Sequence, residues 1–132
     1  MNAFEMSIKD ETRENEDFRR VVFTSSHAQL VVMAIQPEEE IGEEVHTADQ
    51  IFYVVKGEAE AIIDGKARAL DKGEMLVVPA GTRHNIRNTE ADALKLLTIY
   101  APPQHPAGTI HHTKADASAG ERTLATSAAS LS

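Results

Sequence analysis

Short stretches of β-forming residues, separated by turn residues every eight to twelve positions, fill this chain from Arg20 to Tyr100. This spacing is typical of an all-β sandwich or barrel, and little of the sequence has the 3.6-residue periodicity of an amphipathic helix. We therefore predict an all-β fold. The predicted strands are Arg20–Thr24, Ala28–Ile35, Gln50–Lys56, Glu58–Ile63, Lys66–Leu70, Met75–Val78, Arg83–Asn88 and Ala93–Tyr100.

Turn residues indicate how these strands connect. Asp64-Gly65 separates two strands by two residues that tolerate positive φ, which predicts a β-hairpin. Lys72-Gly73 predicts another tight turn. Proline and glycine interrupt the pattern at Pro37–Gly42 and at Pro79–Gly81, since proline lacks the backbone donor that a sheet needs.

The length of 132 residues suits one domain with extensions at both ends. We predict an N-terminal extension or swapped strand over residues 1–19, a barrel over residues 20–104 and a C-terminal extension over residues 105–132. From Ala115 onward, ten of 18 residues are Ala or Ser. We expect this extension to be weakly ordered, because it has few large apolar side chains to bury.

Composition excludes several classes of function. The chain has no cysteine, which removes disulfides, thiolate metal sites and a cysteine nucleophile. With 13 basic against 21 acidic residues, its net charge of −8 does not suit nucleic acid as a partner. The apolar stretches are too short to cross a membrane, and residues 1–17 do not resemble a secretory signal, so we expect a cytoplasmic protein.

Two spaced motifs carry the chemistry, and the second is the more specific. Gly73 is followed after five residues by Pro79, after one by Gly81, after two by His84 and after three by Asn88. This pattern resembles the second sequence motif of the cupin family at every fixed position. The glycines and Pro79 are expected to shape turns, and Asn88 is expected to fix backbone geometry.

The first cupin motif is altered. Its closing half is present as Gln50, six residues and Gly57, and His46 stands four residues before Gln50, where the second histidine of the motif belongs. Glu44 then takes the place of the first histidine. A rival register places His46 first and Ala48 second, but it stretches the spacing to Gln50. We prefer the first register.

The resemblance covers Val31 to Tyr100 and implies a double-stranded β-helix, or jelly-roll barrel, which is often dimeric. It also implies one divalent metal ion inside the barrel, held here by Glu44, His46, Gln50 and His84. Because Glu44 restores the charge that Gln50 removes, the ligand set is permuted with its net charge unchanged. Cupins include isomerases, epimerases, decarboxylases and dioxygenases as well as proteins that only bind, so the family indicates the fold better than the reaction.

The spacings are consistent with such a site. Side chains two residues apart on a strand face the same side, which brings Glu44 together with His46 and aligns Gln50 with Phe52. Imidazole, carboxylate and amide ligands would accept Mn, Fe, Ni, Cu or Zn. Each residue has a simpler interpretation: the histidines could be buried or capping, Glu44 could face solvent, and Gln50 could hydrogen-bond a ligand or water.

Two further groups of residues are not among the fixed positions of the motifs: the predicted core and the histidines after the last strand. A set of apolar residues is predicted to form the core, although it could also line a pocket: Phe52, Val54, Ile63, Leu76, Val78, Ile86 and Leu97. The segment His105–His112 could close over the barrel mouth as a lid and supply a general acid or base with a pKa near 6.5. The alternative is an exposed tail with incidental histidines.

We therefore expect a metal-dependent enzyme that acts on a small polar molecule, either sugar isomerase-like or dioxygenase-like. Similar sequences described as mannose-6-phosphate isomerase-like suggest a sugar, but Arg83 and Arg87 should face away from His84 and leave the phosphate unrecognised. Two histidines and a carboxylate favour a dioxygenase. The alternative is a non-catalytic metal or small-ligand binding cupin, a sensor or storage protein. A homodimer is expected, with the edge strand Arg20–Thr24 covered by pairing.

Overall fold

The structure, a computed structural model, describes residues 2–120 and confirms the all-β prediction. All eight predicted strands are present, with each end within one residue of its predicted position. A ninth strand and two short helical stretches, one before β1 and one over residues 114–120, were not predicted. The elements are α1 (Ile8–Glu14), β1 (Arg19–Thr24), β2 (Gln29–Ile35), β3 (Asp49–Lys56), β4 (Glu58–Ile63), β5 (Lys66–Asp71), β6 (Met75–Val78), β7 (His84–Arg87), β8 (Leu94–Ala101) and β9 (Ile110–His111).

The strands form two antiparallel sheets that enclose the core. One sheet has the order β6-β3-β8-β2-β1-β9 and the other the order β5-β4-β7. Residues 38–44 run beside β7 and are held by backbone hydrogen bonds, including one of 2.9 Å from the Ile41 amide to the Ile86 carbonyl. Because this segment extends the smaller sheet, it carries Glu44 to the neighbourhood of His84.

The hairpin between β4 and β5 has the predicted turn. Asp64 and Gly65 both have positive φ, at 49° and 81°, and the strands pair in register from Ile63 with Lys66 to Glu58 with Asp71. Gly73 also has a positive φ, of 84°, after Lys72. Left-handed residues at such positions match the twist of the flanking strands.

The core lies between the inner faces of the two sheets and contains most of the predicted core residues. Phe52, Val54, Val78 and Ile86 belong to the buried cluster, and Ile63 and Leu76 pack against it. Leu97 is also buried, but it alternates with the inward-facing Leu96 and therefore lies on the outer face of its sheet.

Helix α1 covers part of that outer face, where it packs against β2, β3 and β8. Ser7 caps the helix by accepting a 3.1 Å hydrogen bond from the Asp10 amide, and Asp10 and Glu11 place negative charge in its first turn. Within the predicted N-terminal extension, residues 2–18 contain this helix and no strand.

The chain beyond β8 lies along β1. Strand β9 pairs Arg19 with His111 and Arg20 with Ile110, so the edge on which the dimer expectation rested is partly covered by the chain itself. Residues 114–120 are helical, and Ala117 is buried in the core. Most of the Ala- and Ser-rich tail, residues 121–132, lies outside the described residues.

No helix within residues 2–120 is both long enough and apolar enough to cross a membrane.

Candidate metal centre

Glu44 and His84 are directly paired, because the segment that carries Glu44 runs antiparallel to β7 at the edge of the smaller sheet. The Glu44 amide donates to the His84 carbonyl at 2.8 Å, and the His84 amide donates to the Glu44 carbonyl at 3.0 Å. Residues that exchange both backbone hydrogen bonds project their side chains from the same face. The carboxylate of Glu44 therefore points into the barrel with the His84 ring. The alternative interpretation, in which Glu44 faces solvent with the rest of its acidic segment, does not apply.

His46 completes a cluster with these two residues. Its Nε2 lies 2.8 Å from Glu44 Oε2, and its ring centroid lies 5.6 Å from that of His84. The backbone of His46 is held by the second motif, since its carbonyl accepts a 2.8 Å hydrogen bond from the Gly81 amide. The structure thus brings Glu44 to His46, as in the preferred register, while Ala48 is buried in the core.

Gln50 reaches the same point from β3. Its side-chain Nε2 donates to Thr98 Oγ1 at 2.9 Å, and its Oε1 lies 2.9 Å from His84 Nε2. The other nitrogen of His84, Nδ1, lies 2.9 Å from the carbonyl oxygen of Thr82 and must donate to it. This bond fixes the neutral imidazole in the tautomer whose Nε2 lone pair is available to a metal ion.

The donor atoms fit a divalent metal ion. One ligand atom from each of Glu44, His46 and His84 lies within 4.8 Å of the others. Ligand atoms about 2.1 Å from a metal and at right angles to each other are about 3.0 Å apart. The Glu44–His46 pair at 2.8 Å and the Gln50–His84 pair at 2.9 Å approach this spacing.

Electrostatics favour an ionised Glu44. Burial on its own raises the pKa of this carboxyl, but the hydrogen bond with His46 and the charges of His46, Arg19 and His84 outweigh burial, so the pKa lies below its ordinary value. An ionised carboxylate is the form that binds a metal. Glu44 is therefore ready to bind at neutral pH.

Aromatic side chains surround the ligands. The edge of Tyr100 meets His46 with ring centroids 5.5 Å apart, and Phe52 meets His84 at 5.9 Å. Tyr100 also contacts His105, whose Nε2 is 3.4 Å from the phenol oxygen. These rings restrict the space beside the ligands.

The segment His105–His112 is held against the barrel by ordered contacts. Gln29 donates to the His105 carbonyl at 2.8 Å, and the Val21 amide donates to the Thr109 carbonyl at 2.9 Å. Burial above all, together with the charge of Arg19, lowers the pKa of His105 to about 4. The expectation of a pKa near 6.5 for a histidine of this segment is therefore wrong for His105.

Arginine side chains divide into outer and inner groups. As predicted, Arg83 and Arg87 lie outside, where Arg83 pairs with Glu43 at 3.1 Å and Arg87 pairs with Glu40 at 3.5 Å. Sequence reasoning missed Arg19, which is 1% exposed and lies near enough to Glu44 to lower its pKa. Arg19 lies beside β9, where its side chain contacts His111, a residue 92 positions later in the chain. No local sequence signal indicates so distant a contact.

The turn and backbone residues of the motif have the expected structural roles. Asn88 donates to the Ile35 carbonyl at 2.8 Å and to the Asp92 carbonyl at 2.9 Å. Gly81 has a φ of 82°, which suits glycine at this turn. None of these residues contributes a ligand atom to the cluster of Glu44, His46 and His84.

Comparisons with known proteins agree with this architecture. The cupin domain family matches residues 31–100. The uncharacterized protein YrkC of Bacillus subtilis is 40% identical over 126 residues, which cover 89% of this chain and 67% of YrkC. The uncharacterized protein L612 of Acanthamoeba polyphaga mimivirus is 42% identical over 114 residues, which cover 82% of this chain and 71% of L612.

Among solved structures, BH2720 from Bacillus halodurans superimposes with a TM-score of 0.87 at 42% identity, covering 89% of this chain and 95% of that chain. A double-stranded β-helix protein from Klebsiella pneumoniae has a TM-score of 0.67 at 24% identity, covering 85% of this chain and 100% of that chain, which shows the shared fold. None of the proteins named here is described as a mannose-6-phosphate isomerase.

Proposed function

The chain belongs to the cupin family, and from its site we propose that it is a metal-dependent enzyme acting on a small polar molecule. The observation that supports this most is the convergence of Glu44, His46 and His84, with ligand atoms within 4.8 Å of one another. Gln50 would be the fourth ligand through Oε1. One divalent ion, Mn, Fe, Ni, Cu or Zn, would suit these donors.

A bound ion would supply a Lewis acid for a carbonyl or hydroxyl oxygen, or a place for oxygen to bind. The chain supplies orientation and a restricted environment. The bond from His84 to Thr82 holds the imidazole in one tautomer, and the rings of Phe52 and Tyr100 contact the two histidines and limit the space beside them. His105 is neutral at pH 7 because its pKa is near 4, so it can offer a hydrogen bond to a substrate without adding charge.

Two reaction classes remain candidates for this site. Two histidines with one carboxylate resemble the ligand set of non-haem iron oxygenases, which favours a dioxygenase. A sugar isomerase would need only the Lewis acid, but Arg83 and Arg87 lie outside and are paired with acidic residues. A phosphorylated sugar therefore finds no cation on β7, although Arg19 lies near Glu44, and it is the ligand set that makes the dioxygenase the better supported of the two.

A non-catalytic role is the competing proposal. A cupin that only binds a metal or a small ligand would use the same residues, and the neutral Gln50 would weaken metal binding relative to a carboxylate. The three roles differ in oxygen use. A dioxygenase consumes oxygen in the presence of substrate, an isomerase turns over anaerobically, and a binding protein does neither.

Elemental analysis of untagged protein tests the metal site directly. We expect near-stoichiometric metal in the wild type and at least a tenfold loss of occupancy in His84→Ala and in His46→Ala. His27→Ala, which removes an exposed histidine outside the cluster, is the matched control and should keep the metal. Full occupancy in both site variants would reject these ligands.

We also propose a homodimer, through a different surface from the one first expected. Strand β1 has neighbours on both sides, whereas β6 is an edge strand that leaves Met75 and Val77 59% and 56% exposed. Apolar residues on an edge strand favour pairing with another chain. Light scattering that gives a monomer mass at high protein concentration would exclude the dimer.

A further inference from the structure

The two ring nitrogens of His84 both face oxygen atoms. Nδ1 lies 2.9 Å from the Thr82 carbonyl oxygen, and Nε2 lies 2.9 Å from Gln50 Oε1. A neutral imidazole has one N–H, and Thr82 receives it. In this neutral form the lone pairs of Nε2 and Oε1 point at each other, and a cation between them, either a metal ion or a second proton on His84, removes the repulsion.

Thr98 determines this orientation of the Gln50 amide. Gln50 and Thr98 are 1% and 0% exposed, so bulk solvent does not reach the amide. The Gln50 Nε2 donates to Thr98 Oγ1 at 2.9 Å, which leaves Oε1 toward His84. A threonine hydroxyl both donates and accepts. If the amide turned over, Thr98 could donate to Oε1 while Nε2 donated to the His84 lone pair.

Both orientations of the amide therefore satisfy their buried polar atoms, one with a metal ion and one without. A glutamate at position 50 lacks this choice, since an ionised carboxylate has no proton to donate to His84. Buried polar groups need such partners because leaving them unpaired is costly.

We propose that Thr98 is a positioning residue that lets the Gln50 amide turn over with metal occupancy. The side-chain carbonyl of Gln50 faces the ion when the metal is bound, and the side-chain NH₂ group of Gln50 faces His84 when the metal is absent. This inference rests on the proposed metal site and adds a means by which the chain releases and rebinds its ion without leaving an unpaired polar group at position 50.

Substitution of Thr98 tests the positioning role. Thr98→Val keeps the shape but removes the hydroxyl, and we expect Zn²⁺ and Co²⁺ to bind at least about tenfold more weakly, as for the loss of other groups that orient ligands. Thr98→Ser restores the hydroxyl and should recover binding. Gln29 and Thr24 form a similar pair, joined at 3.0 Å, so Thr24→Val is the matched control and should bind metal as the wild type does.

The visible spectrum of the Co²⁺ protein gives a readout that a general loss of stability would not change. Thr98→Val should shift the ligand-field bands of the protein that does bind Co²⁺, because Gln50 no longer presents its carbonyl, and Thr98→Ser should keep the wild-type spectrum. Wild-type affinity and an unchanged spectrum in Thr98→Val would overturn the inference.

Proton contacts observed by NMR test the turnover in the wild-type chain. The Gln50 side-chain NH₂ protons should contact His84 in metal-free protein and Thr98 in Zn²⁺-loaded protein. Contacts with Thr98 in the metal-free state would overturn the inference, whether or not the protein binds metal. Failure of the wild type to bind Zn²⁺ or Co²⁺ would instead reject the proposed function, so the two failures are distinguishable.

Discussion

Replacing His105 by asparagine is expected to make the protein less sensitive to mild acid. Burial, above all, and the positive charge of Arg19 lower the pKa of His105 from 6.5 to about 4; His46 and His111 act in the same direction, and Glu44 opposes them. The unfolded chain keeps a pKa near 6.5. Between these two values the unfolded chain binds a proton that the folded protein does not, so the free energy of unfolding falls as the pH falls.

The size of this effect follows from the two pKa values. Proton linkage with pKa values of 6.5 and about 4 gives a loss of about 0.2 kcal/mol at pH 7, about 2 kcal/mol at pH 5 and about 3 kcal/mol at pH 4. Between pH 7 and pH 5, His105 should therefore account for about 2 kcal/mol of lost stability. His105→Asn should remove this part and leave the rest.

Urea unfolding of metal-free protein at pH 7, 6 and 5 measures the difference. The quantity of interest is the change in unfolding free energy from pH 7 to pH 5 in the wild type minus the same change in His105→Asn. His27→Asn is the control, since His27 is exposed at the turn between β1 and β2, and it should retain the wild-type dependence. An equal loss of stability in His105→Asn and in the wild type would refute the argument.

Two further substitutions probe the ligand set and the second motif. Gln50→Glu adds a second carboxylate and should lower the Zn²⁺ dissociation constant at least about tenfold in competition calorimetry; an unchanged constant would show that the side chain at this position does not reach the ion. Asn88→Ala removes a buried amide with three hydrogen bonds to backbone groups and should cost about 3 kcal/mol in urea unfolding, whereas a loss below about 1 kcal/mol would contradict its structural role.

The strands could be predicted because their signals are local. Short runs of β-forming residues bounded by turn residues identify β3 through β6 from short windows of sequence, and the Asp64-Gly65 turn sets the register of one hairpin. Helix α1 was missed because seven residues make only two turns, too few for a periodic pattern. Its usable signal was Ser7 followed three residues later by Asp10, the sequence pattern of a helix start.

The candidate site was predictable in its residue types and less so in its surroundings. Spacing by two residues correctly placed Glu44 and His46 together, and the second motif supplied His84. Neither Thr98 nor Arg19 could be assigned, since Thr98 reaches Gln50 across 48 residues and Arg19 reaches His111 across 92 residues. Such contacts depend on strand order, which short windows of sequence do not encode.

The four candidate ligands differ in exposure, which indicates the side from which a substrate would reach the proposed centre. His84 and Gln50 are 3% and 1% exposed and form the buried side, whereas the side chains of Glu44 and His46 are 21% and 17% exposed. The cupin motif has its carboxylate at the position of Gln50, whereas this chain has it at Glu44. Compared with the motif, the negative charge therefore lies on the accessible side and not on the buried side. A divalent ion held by one carboxylate and neutral ligands would keep a net charge of +1 and would favour an additional oxygen ligand. This ligand would reach the ion from the accessible side, where the carboxylate of Glu44 would repel it if it were negatively charged.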